Sequence, residues 1–322
     1  MQDVEGKVAF ITGGASGMGL GMATVFARNG MKVVIADIRQ EALDQAMTGF
    51  KGTNLAVHAI KLDVSDRKAY AAAADEAEKV FGKIHLLCNN AGIGVTGPIK
   101  DATYDDWDWL KSVMLDGVIN GVQTILPRIR GHGEGGHIVN TASMSGAFAS
   151  GDAGIYITLK YAVVGMAEAL RWELMDENIG VSAFLPGGVR TNIFTSHHLR
   201  PEGMTTGYTR QDARREAMFT AMQSRPDDPD DPLNAITMDI YEVGERVLRG
   251  IRRNDLFIIS HPEFREGIEA RNAALIRAIP DEPLNQHRLE FLRRAGTLLN
   301  QPIYASQTTP KGKATPEGRD SG

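Results

Sequence analysis

Three polar side chains, Ser143, Tyr156 and Lys160, lie in stretches that otherwise have the composition of a hydrophobic core. Ser143 ends the run HIVNTAS, and Lys160 is the one charged residue of GIYITLKYAVVGM, residues 154–166. Tyr156 and Lys160 are four residues apart, so a helix places them on one face. An ammonium group there would stabilise a phenolate and lower the pKa of Tyr156 from its usual value near 10. Such a tyrosine could accept the proton of a secondary alcohol, with Ser143 hydrogen-bonding the same oxygen.

The spacing of Tyr156 and Lys160 alone is weak evidence, because a chain of this length contains such a pair by chance at roughly even odds. In the alternative interpretation, Tyr156 fills core and Lys160 extends along a packed helix with its ammonium in water. Tyr161 points about 100° away around the helix and is interpreted as packing. The surrounding motifs must therefore decide between the two interpretations.

A glycine-rich loop, ITGGASGMG, follows the first apolar run and opens a helical pattern, with glycines at 13, 17 and 19. Glycines let the backbone approach a pyrophosphate closely, and a helix N-terminus offers free N–H groups and a favourable dipole. Such a loop can also be a simple turn. Its position at the first strand-to-helix junction of a β-α-β pattern favours nucleotide binding.

Asp37 ends the second apolar run, 18 residues after Gly19. A carboxylate there accepts hydrogen bonds from both adenosine ribose hydroxyls and repels a 2′-phosphate, so the sequence predicts NAD as cofactor. The alternative is a solvated strand-end carboxylate, with Arg39 attracting the 2′-phosphate of NADP instead.

Short apolar runs that alternate with helical patterns make up most of the chain. The predicted strands are KVAFIT (7–12), KVVIAD (32–37), LAVHAI (55–60), IHLLCN (84–89), HIVNTA (137–142), VSAFLP (181–186) and LFIIS (256–260). Strands of this composition are covered on both faces, and the β-α alternation predicts parallel pairing with right-handed crossovers. The helix that follows the third strand is predicted to begin at an N-cap, Ser65, and to end at Gly82. The predicted fold is therefore α/β, a Rossmann-type doubly wound parallel sheet of about seven strands with helices on both faces.

The chain is predicted to form a single catalytic domain over residues 1–304, followed by a disordered tail at 305–322 that is rich in Gly, Pro and charge. Residues 191–235 form an insertion above the carboxyl edge of the sheet, and 261–304 form a C-terminal helical extension. The insertion is interpreted either as an apolar lid for a bulky substrate or as plain packing against the body or another subunit. Its candidate lid residues are Phe194, Met204, Tyr208, Met218, Phe219 and Met222.

The composition excludes several classes of function. A net charge of −5 and a pI near 5.9 give no support for nucleic-acid binding. No apolar run reaches the length of a membrane span, and the one cysteine, Cys88, allows no disulfide within the chain, so a cytoplasmic location is predicted. No metal is expected, because His197 and His198 have no third ligand at suitable spacing.

Taken together, TGGASGMG (12–19), Asp37, LDV (62–64), NNAG (89–92), Ser143, YITLK (156–160) and PGGVRT (186–191) resemble the short-chain dehydrogenase/reductase family over roughly residues 5–260. The resemblance implies that Asp63 and Val64 border the adenine, that Asn90 supports the cofactor, that Lys160 holds the nicotinamide ribose, and that Val189 and Thr191 meet the carboxamide. The cofactor-binding residues that it implies are Thr12, Gly13, Ser16, Gly17, Met18, Gly19, Asp37, Asp63, Val64, Asn90, Ala91, Gly92, Tyr156, Lys160, Pro186, Gly187, Val189 and Thr191.

One position departs from the family pattern. The family's fourth catalytic residue is usually an asparagine that helps to hold a water, and Met114 occupies that position here. Asn120 lies about 240° further around the helix and cannot replace it. A thioether is only a weak acceptor, although the backbone carbonyl of Met114 could bind the water. The hypothesis is slowed but retained catalysis, and the alternative is an inactive dinucleotide-binding scaffold.

The C-terminal extension, including SHPEFREGIEARN (260–272), resembles the branch of the family that contains bacterial Cα-dehydrogenases of lignin β-aryl ethers. This resemblance implies NAD-dependent oxidation of a bulky, aromatic benzylic secondary alcohol to the ketone. The alternative enzyme is a carbonyl or 3-oxoacyl reductase that uses NAD(P)H. The family also implies a homodimer or homotetramer paired through helices at about 104–130 and 152–177.

Overall fold

Seven parallel strands form one sheet in the order β3-β2-β1-β4-β5-β6-β7. The computed structural model describes residues 1–95, 97–149, 151, 153–191, 193–208, 237–295 and 301–308. The strands are β1 Val8–Thr12, β2 Lys32–Asp37, β3 Val57–Lys61, β4 Leu86–Asn89, β5 Gly136–Thr141, β6 Ile179–Leu185 and β7 Phe257–Ile259. All seven lie within two residues of the predicted runs, and the doubly wound fold is confirmed.

Helices cover both faces of this sheet. They are α1 Gly17–Arg28, α2 Gln40–Phe50, α3 Arg67–Phe81, α4 Tyr104–Lys111, α5 Gly117–His132, α6 Gly154–Glu173, α7 Ile240–Arg253, α8 Arg265–Arg277, α9 Gln286–Ala295 and α10 Pro302–Ala305. One buried apolar cluster joins the sheet to α3, α5 and α6, and a second joins it to α1, α2 and α7. The chain reverses its direction of winding between β1 and β4, and in such sheets this is where ligands bind.

The start of α3 differs from the prediction by one residue. Asp66, not Ser65, is the N-cap, because its carboxylate accepts hydrogen bonds from the backbone N–H groups of Lys68 and Ala69. Ser65 is drawn away by Asp63, whose Oδ1 accepts from both its amide and its hydroxyl. The predicted end is correct: Gly82 is the C-cap, with a φ of 83° that favours glycine.

The C-terminal extension contacts the body through the first half of α8. Gly267 lies against Phe148, and the guanidinium of Arg271 lies 5.2 Å from the ring centre of Tyr161, which confirms a packing role for that tyrosine. The first residues of the predicted tail, 305–308, belong to the described part of the structure. The side chain of Gln307 pairs with both backbone groups of Phe257 in β7, so the chain remains attached to the sheet at this point.

Cys88 lies in the middle of the sheet, on β4, and is fully buried. Burial raises the pKa of its thiol far above the usual range. The interpretation of this cysteine as a small buried hydrophobic residue is confirmed. Among the described residues, no helix is long and apolar enough to cross a membrane.

Candidate active site

Ser143, Tyr156 and Lys160 come together at the carboxyl edge of β5. Ser143 follows this strand and caps a short 3₁₀ turn, Met144–Gly146, while Tyr156 and Lys160 lie in the first two turns of α6. The Ser143 hydroxyl lies close enough to the Tyr156 hydroxyl to lower the pKa of that tyrosine. The ammonium of Lys160 lies 5.5 Å from the Tyr156 ring centre. The three side chains therefore have the mutual arrangement that the sequence predicts.

Burial dominates the electrostatics of this group. The Lys160 ammonium donates to the Thr141 carbonyl at 2.9 Å, and burial lowers its pKa to about 8. Burial also raises the pKa of Tyr156, which the Ser143 hydroxyl only partly offsets. In the protein alone, the pKa of Tyr156 is therefore not lowered as expected, because desolvation of the phenolate dominates and only the Ser143 hydroxyl opposes it.

The glycine-rich loop has the geometry of a phosphate cradle. Gly13 and Gly17 have φ angles of 60° and 50°, and a Cβ on Gly19 would fall 2.0 Å from the Gly13 carbonyl oxygen. Only glycine fits these positions. Helix α1 begins within this motif, at Gly17, and the Ser16 side chain makes no capping hydrogen bond. The N-terminal amides of α1 therefore have no capping side chain, which suits an anionic ligand.

Thr12 and Asn90 join this loop to the end of β4. The Thr12 hydroxyl accepts from the amides of Asn90 at 2.9 Å and Ala91 at 3.0 Å. The Asn90 side-chain amide donates to the carbonyls of Thr12 and Gly13 at 3.0 and 3.3 Å. Asn90 thus fixes the glycine-rich loop to the end of β4. Of its neighbours, Ala91 is half-buried, and Gly92 is exposed.

Asp37 is almost fully buried and is paired with Arg39. The Asp37 oxygens accept from Nε and Nη2 of Arg39 at 3.2 and 3.3 Å, and the same Nη2 donates to the Ser16 hydroxyl at 2.7 Å. The predicted ribose selector is therefore covered by a guanidinium that also contacts the glycine-rich loop. The sequence indicated Arg39 as a neighbour able to attract phosphate, but not its pairing with Asp37, which depends on side-chain direction.

Asp63 and Val64 follow β3 next to this position. The amide of Leu62 donates to the Asp37 carbonyl at 2.9 Å, which fixes the ends of β2 and β3 together. The Val64 carbonyl accepts from Asn120 at 2.8 Å. Asn120 therefore supports the segment predicted to border the adenine and lies six residues from Met114, which occupies the position of the family's usual asparagine.

Pro186, Gly187, Val189 and Thr191 lie on the loop that leaves β6. The Pro186 carbonyl accepts from the Met144 amide at 3.0 Å, so this loop is joined directly to the Ser143 turn. A Cβ on Gly17 would lie 3.0 Å from the Thr191 methyl group. Val189 and Met18 are both half-buried and pack against the same apolar cluster. The predicted nicotinamide end of the site is thereby placed beside the predicted phosphate loop.

Met114 is fully buried in an apolar cluster that contacts Tyr156. It lies in a single π-helical turn, Ser112–Asp116, between α4 and α5. Such turns widen a helix locally and are frequent at functional sites. The described members of the cluster are Ile93, Trp109, Leu110, Met114, Ile155 and Leu159, with half-buried Val95, Trp107, Met204 and Tyr208 packed against it.

The first part of the predicted lid is anchored to the N-terminus of α4. Arg200 donates to the fully buried carboxylate of Asp106 at 2.6 Å and lies 4.5 Å from the Trp109 ring centre. Asp106 also accepts from the Gly207 amide at 3.0 Å, and these contacts direct Tyr208 onto the apolar cluster. The side chain of Phe194 and the residues Met218, Phe219 and Met222 lie outside the described part of the structure.

A group of potential metal ligands, His85, His132 and Glu134, lies at the opposite end of the sheet. His85 accepts from the Val8 amide through Nδ1 and contacts Glu134 through Nε2. His132 accepts from the Glu134 amide and contacts the Ile84 carbonyl. Both nitrogens of each ring are already engaged, so this group does not fit a metal site. The side chain of His197 lies outside the described residues, and His198 is exposed.

Comparison with known proteins gives consistent matches. Residues 7–201 match the family described as short chain dehydrogenase. A C alpha-dehydrogenase of Sphingobium sp. (strain NBRC 103272 / SYK-6) is 40% identical over 281 residues, which is 87% of this chain and 88% of that protein. The apo form of LigO from Sphingobium sp. strain SYK-6 has a TM-score of 0.73 at 44% identity, covering 93% of this chain and 100% of that chain. A short chain dehydrogenase/reductase from Burkholderia phymatum in complex with NAD has a TM-score of 0.78 at 31% identity, covering 88% and 100%.

Proposed function

The chain belongs to the short chain dehydrogenase family and is an oxidoreductase, and we propose that it oxidises a bulky aromatic secondary alcohol to the ketone with NAD. The observation that carries the proposal is the Ser143–Tyr156–Lys160 group at the sheet edge, next to a phosphate cradle of matching geometry. The 40% identity to a C alpha-dehydrogenase over most of both chains supports alcohol oxidation.

In the proposed mechanism, Tyr156 accepts the proton of the alcohol and Ser143 hydrogen-bonds the same oxygen. Bound NAD supplies the hydride acceptor and a positively charged ring. Tyr156 must lose its own proton first, and burial opposes this by raising its pKa. The Lys160 ammonium, fixed by the Thr141 carbonyl, supplies the opposing positive charge at 5.5 Å from the ring centre.

The apolar surroundings of Tyr156 support an aromatic substrate. Val95, Trp107, Met204 and Tyr208 are half-buried and pack on the cluster that contacts this tyrosine. Aromatic and thioether side chains make favourable contacts with a planar ring. An alcohol with a large apolar substituent would therefore gain more from this surface than a small polar one.

The NAD preference is proposed from Asp37, and one observation favours a second candidate. Arg39 lies within hydrogen-bonding distance of both Asp37 and Ser16, where it would attract a 2′-phosphate. An NADPH-dependent carbonyl reductase is therefore the alternative function.

The test incubates the purified protein with NAD or NADP and a panel of aryl and aliphatic secondary alcohols while reduced cofactor is followed by absorbance. The proposal expects the fastest turnover with an aryl alcohol and NAD. A Tyr156→Phe variant should lose nearly all of this turnover and keep its affinity for the cofactor. Faster reduction of ketones with NADPH would support the alternative, and no turnover in either direction would contradict both.

A further inference from the structure

The C-terminal motif SHPEFREGIEARN begins beside the proposed cofactor site. Ser260 is fully buried at the end of β7, and His261 follows it, before a 3₁₀ turn at Pro262–Phe264. These residues lie directly against the loop that leaves β6. A segment more than 70 residues away in sequence thus contacts the predicted nicotinamide end of the site.

Two hydrogen bonds run in series from this loop to His261. The Gly187 amide donates to the Ser260 hydroxyl at 2.9 Å, and that hydroxyl lies 2.6 Å from Nδ1 of His261. The Ser260 oxygen accepts from the Gly187 amide. Donors and acceptors match when the Ser260 hydroxyl proton points to an unprotonated Nδ1 of His261. The main chain of Gly188 also lies close enough to the imidazole to raise its pKa. Two consecutive glycines of the loop therefore lie against this pair.

Packing reinforces the same contact. A Cβ on Gly187 would lie 2.4 Å from the Phe264 ring and 2.7 Å from Nδ1 of His261, so glycine is required for the close approach. The Phe264 ring lies 5.9 Å from that of Phe148, which follows the Ser143 turn. The motif thus contacts both loops that surround the proposed reacting atoms.

We propose that Ser260 and His261 are positioning residues that hold the Gly187–Gly188 loop in the conformation that binds the nicotinamide end of the cofactor. Their hold is strongest with a neutral His261, because a protonated Nδ1 would donate to the Ser260 oxygen and compete there with the Gly187 amide. This inference rests on the proposed function, because it assigns the loop to cofactor binding.

The surroundings of His261 set the direction of the expected pH dependence. Burial lowers the pKa of His261, and the charged groups that face it are Glu263 on its own turn and Glu242 and Arg246 on α7. The ring is neutral above its pKa and becomes charged as the pH falls through it. Cofactor affinity is therefore expected to fall on the acidic side, below the ordinary histidine range.

The experiment measures the Kd of NAD, without substrate, for the wild type, His261→Ala, His261→Gln and Ser260→Ala between about pH 7.5 and about pH 4.5. The alanine variants should bind about three- to tenfold more weakly at the upper pH, as for the loss of one hydrogen bond. His261→Gln, whose amide oxygen can accept from Ser260, should bind within about twofold of wild type and lose the acid-side weakening.

His58→Gln is the matched control, because His58 is a half-exposed histidine paired with Glu76 away from the loop. It should keep the wild-type pH dependence, and thermal unfolding checks that each variant is folded. Equal Kd values for all variants, or an unchanged pH dependence in His261→Gln, would overturn the inference and leave the proposed function intact. Failure of the wild type to bind either NAD or NADP would overturn both.

Discussion

Removal of Arg39 is expected to strengthen the preference for NAD over NADP. Arg39 contacts both oxygens of Asp37 and the Ser16 hydroxyl, so its charge opposes the repulsion that Asp37 exerts on a 2′-phosphate. Arg39→Ala removes the attraction and leaves the repulsion. Asp37→Ala, the opposite change, should weaken NAD binding and narrow the preference.

The magnitude follows from charge separation and exposure. Two unit charges about 4 Å apart near a protein surface interact by about 4 kcal/mol. The side chain of Arg39 is 31% exposed, so salt and water reduce its attraction to roughly 1–2 kcal/mol. The Kd of NADP should therefore rise about tenfold in Arg39→Ala, while that of NAD changes by less than about threefold.

Calorimetric titration with NAD and NADP at two salt concentrations measures these Kd values. The difference in NADP affinity between the wild type and Arg39→Ala should be smaller at the higher salt concentration. Arg249→Ala is a suitable control, because Arg249 is an exposed arginine on α7 with a loosely placed partner, Glu245, at 3.9 Å. Retention of wild-type NADP affinity in Arg39→Ala would refute the reasoning, as would a shift towards NADP.

The remaining predictions concern the proton acceptor, Met114 and the lid anchor. The rate of oxidation at saturating cofactor should rise with pH from neutrality, because Tyr156 must be deprotonated and burial raises its pKa; a flat pH–rate profile would contradict this role. Met114→Asn places an amide in an apolar cluster and should cost about 2–5 kcal/mol of stability, whereas Met114→Leu should not. A lower turnover per folded molecule in the asparagine variant would argue against slowed catalysis in the wild type. Arg200→Ala leaves the buried carboxylate of Asp106 without its ion pair. The temperature of thermal unfolding should therefore fall by several degrees, and KM should rise more than kcat falls. An unchanged KM would mean that the Arg200–Asp106 pair does not shape the substrate surface.

The fold and the central group of the site could be predicted because their signals are local. Tyr156 and Lys160 share a helix face at a spacing of four, and the glycine loop follows a strand directly. Parallel strands end at one edge of the sheet, so Ser143 and Asp37 were expected there as well. The part that the loop after β6 plays in the site was implied only by the family resemblance.

The features that could not be predicted depend on the tertiary environment. The sign of the Tyr156 pKa shift reflects how far the half-buried phenol is shielded from water, which spacing does not reveal. The contact between Ser260 and Gly187 joins distant segments, and no periodic pattern indicates it. The choice of Asp66 over Ser65 as N-cap depended on competition from Asp63, which is visible only once the turn has formed.

The single thiol of the chain, on the central strand β4, has a practical consequence. Cys88 is enclosed on both sides of the sheet and is held as the unreactive protonated form. An alkylating reagent can attack it only after the strands separate. With reagent in excess, the labelling rate would therefore report how often the centre of the molecule opens, and a bound ligand that stabilises the native state should slow it in proportion to its affinity.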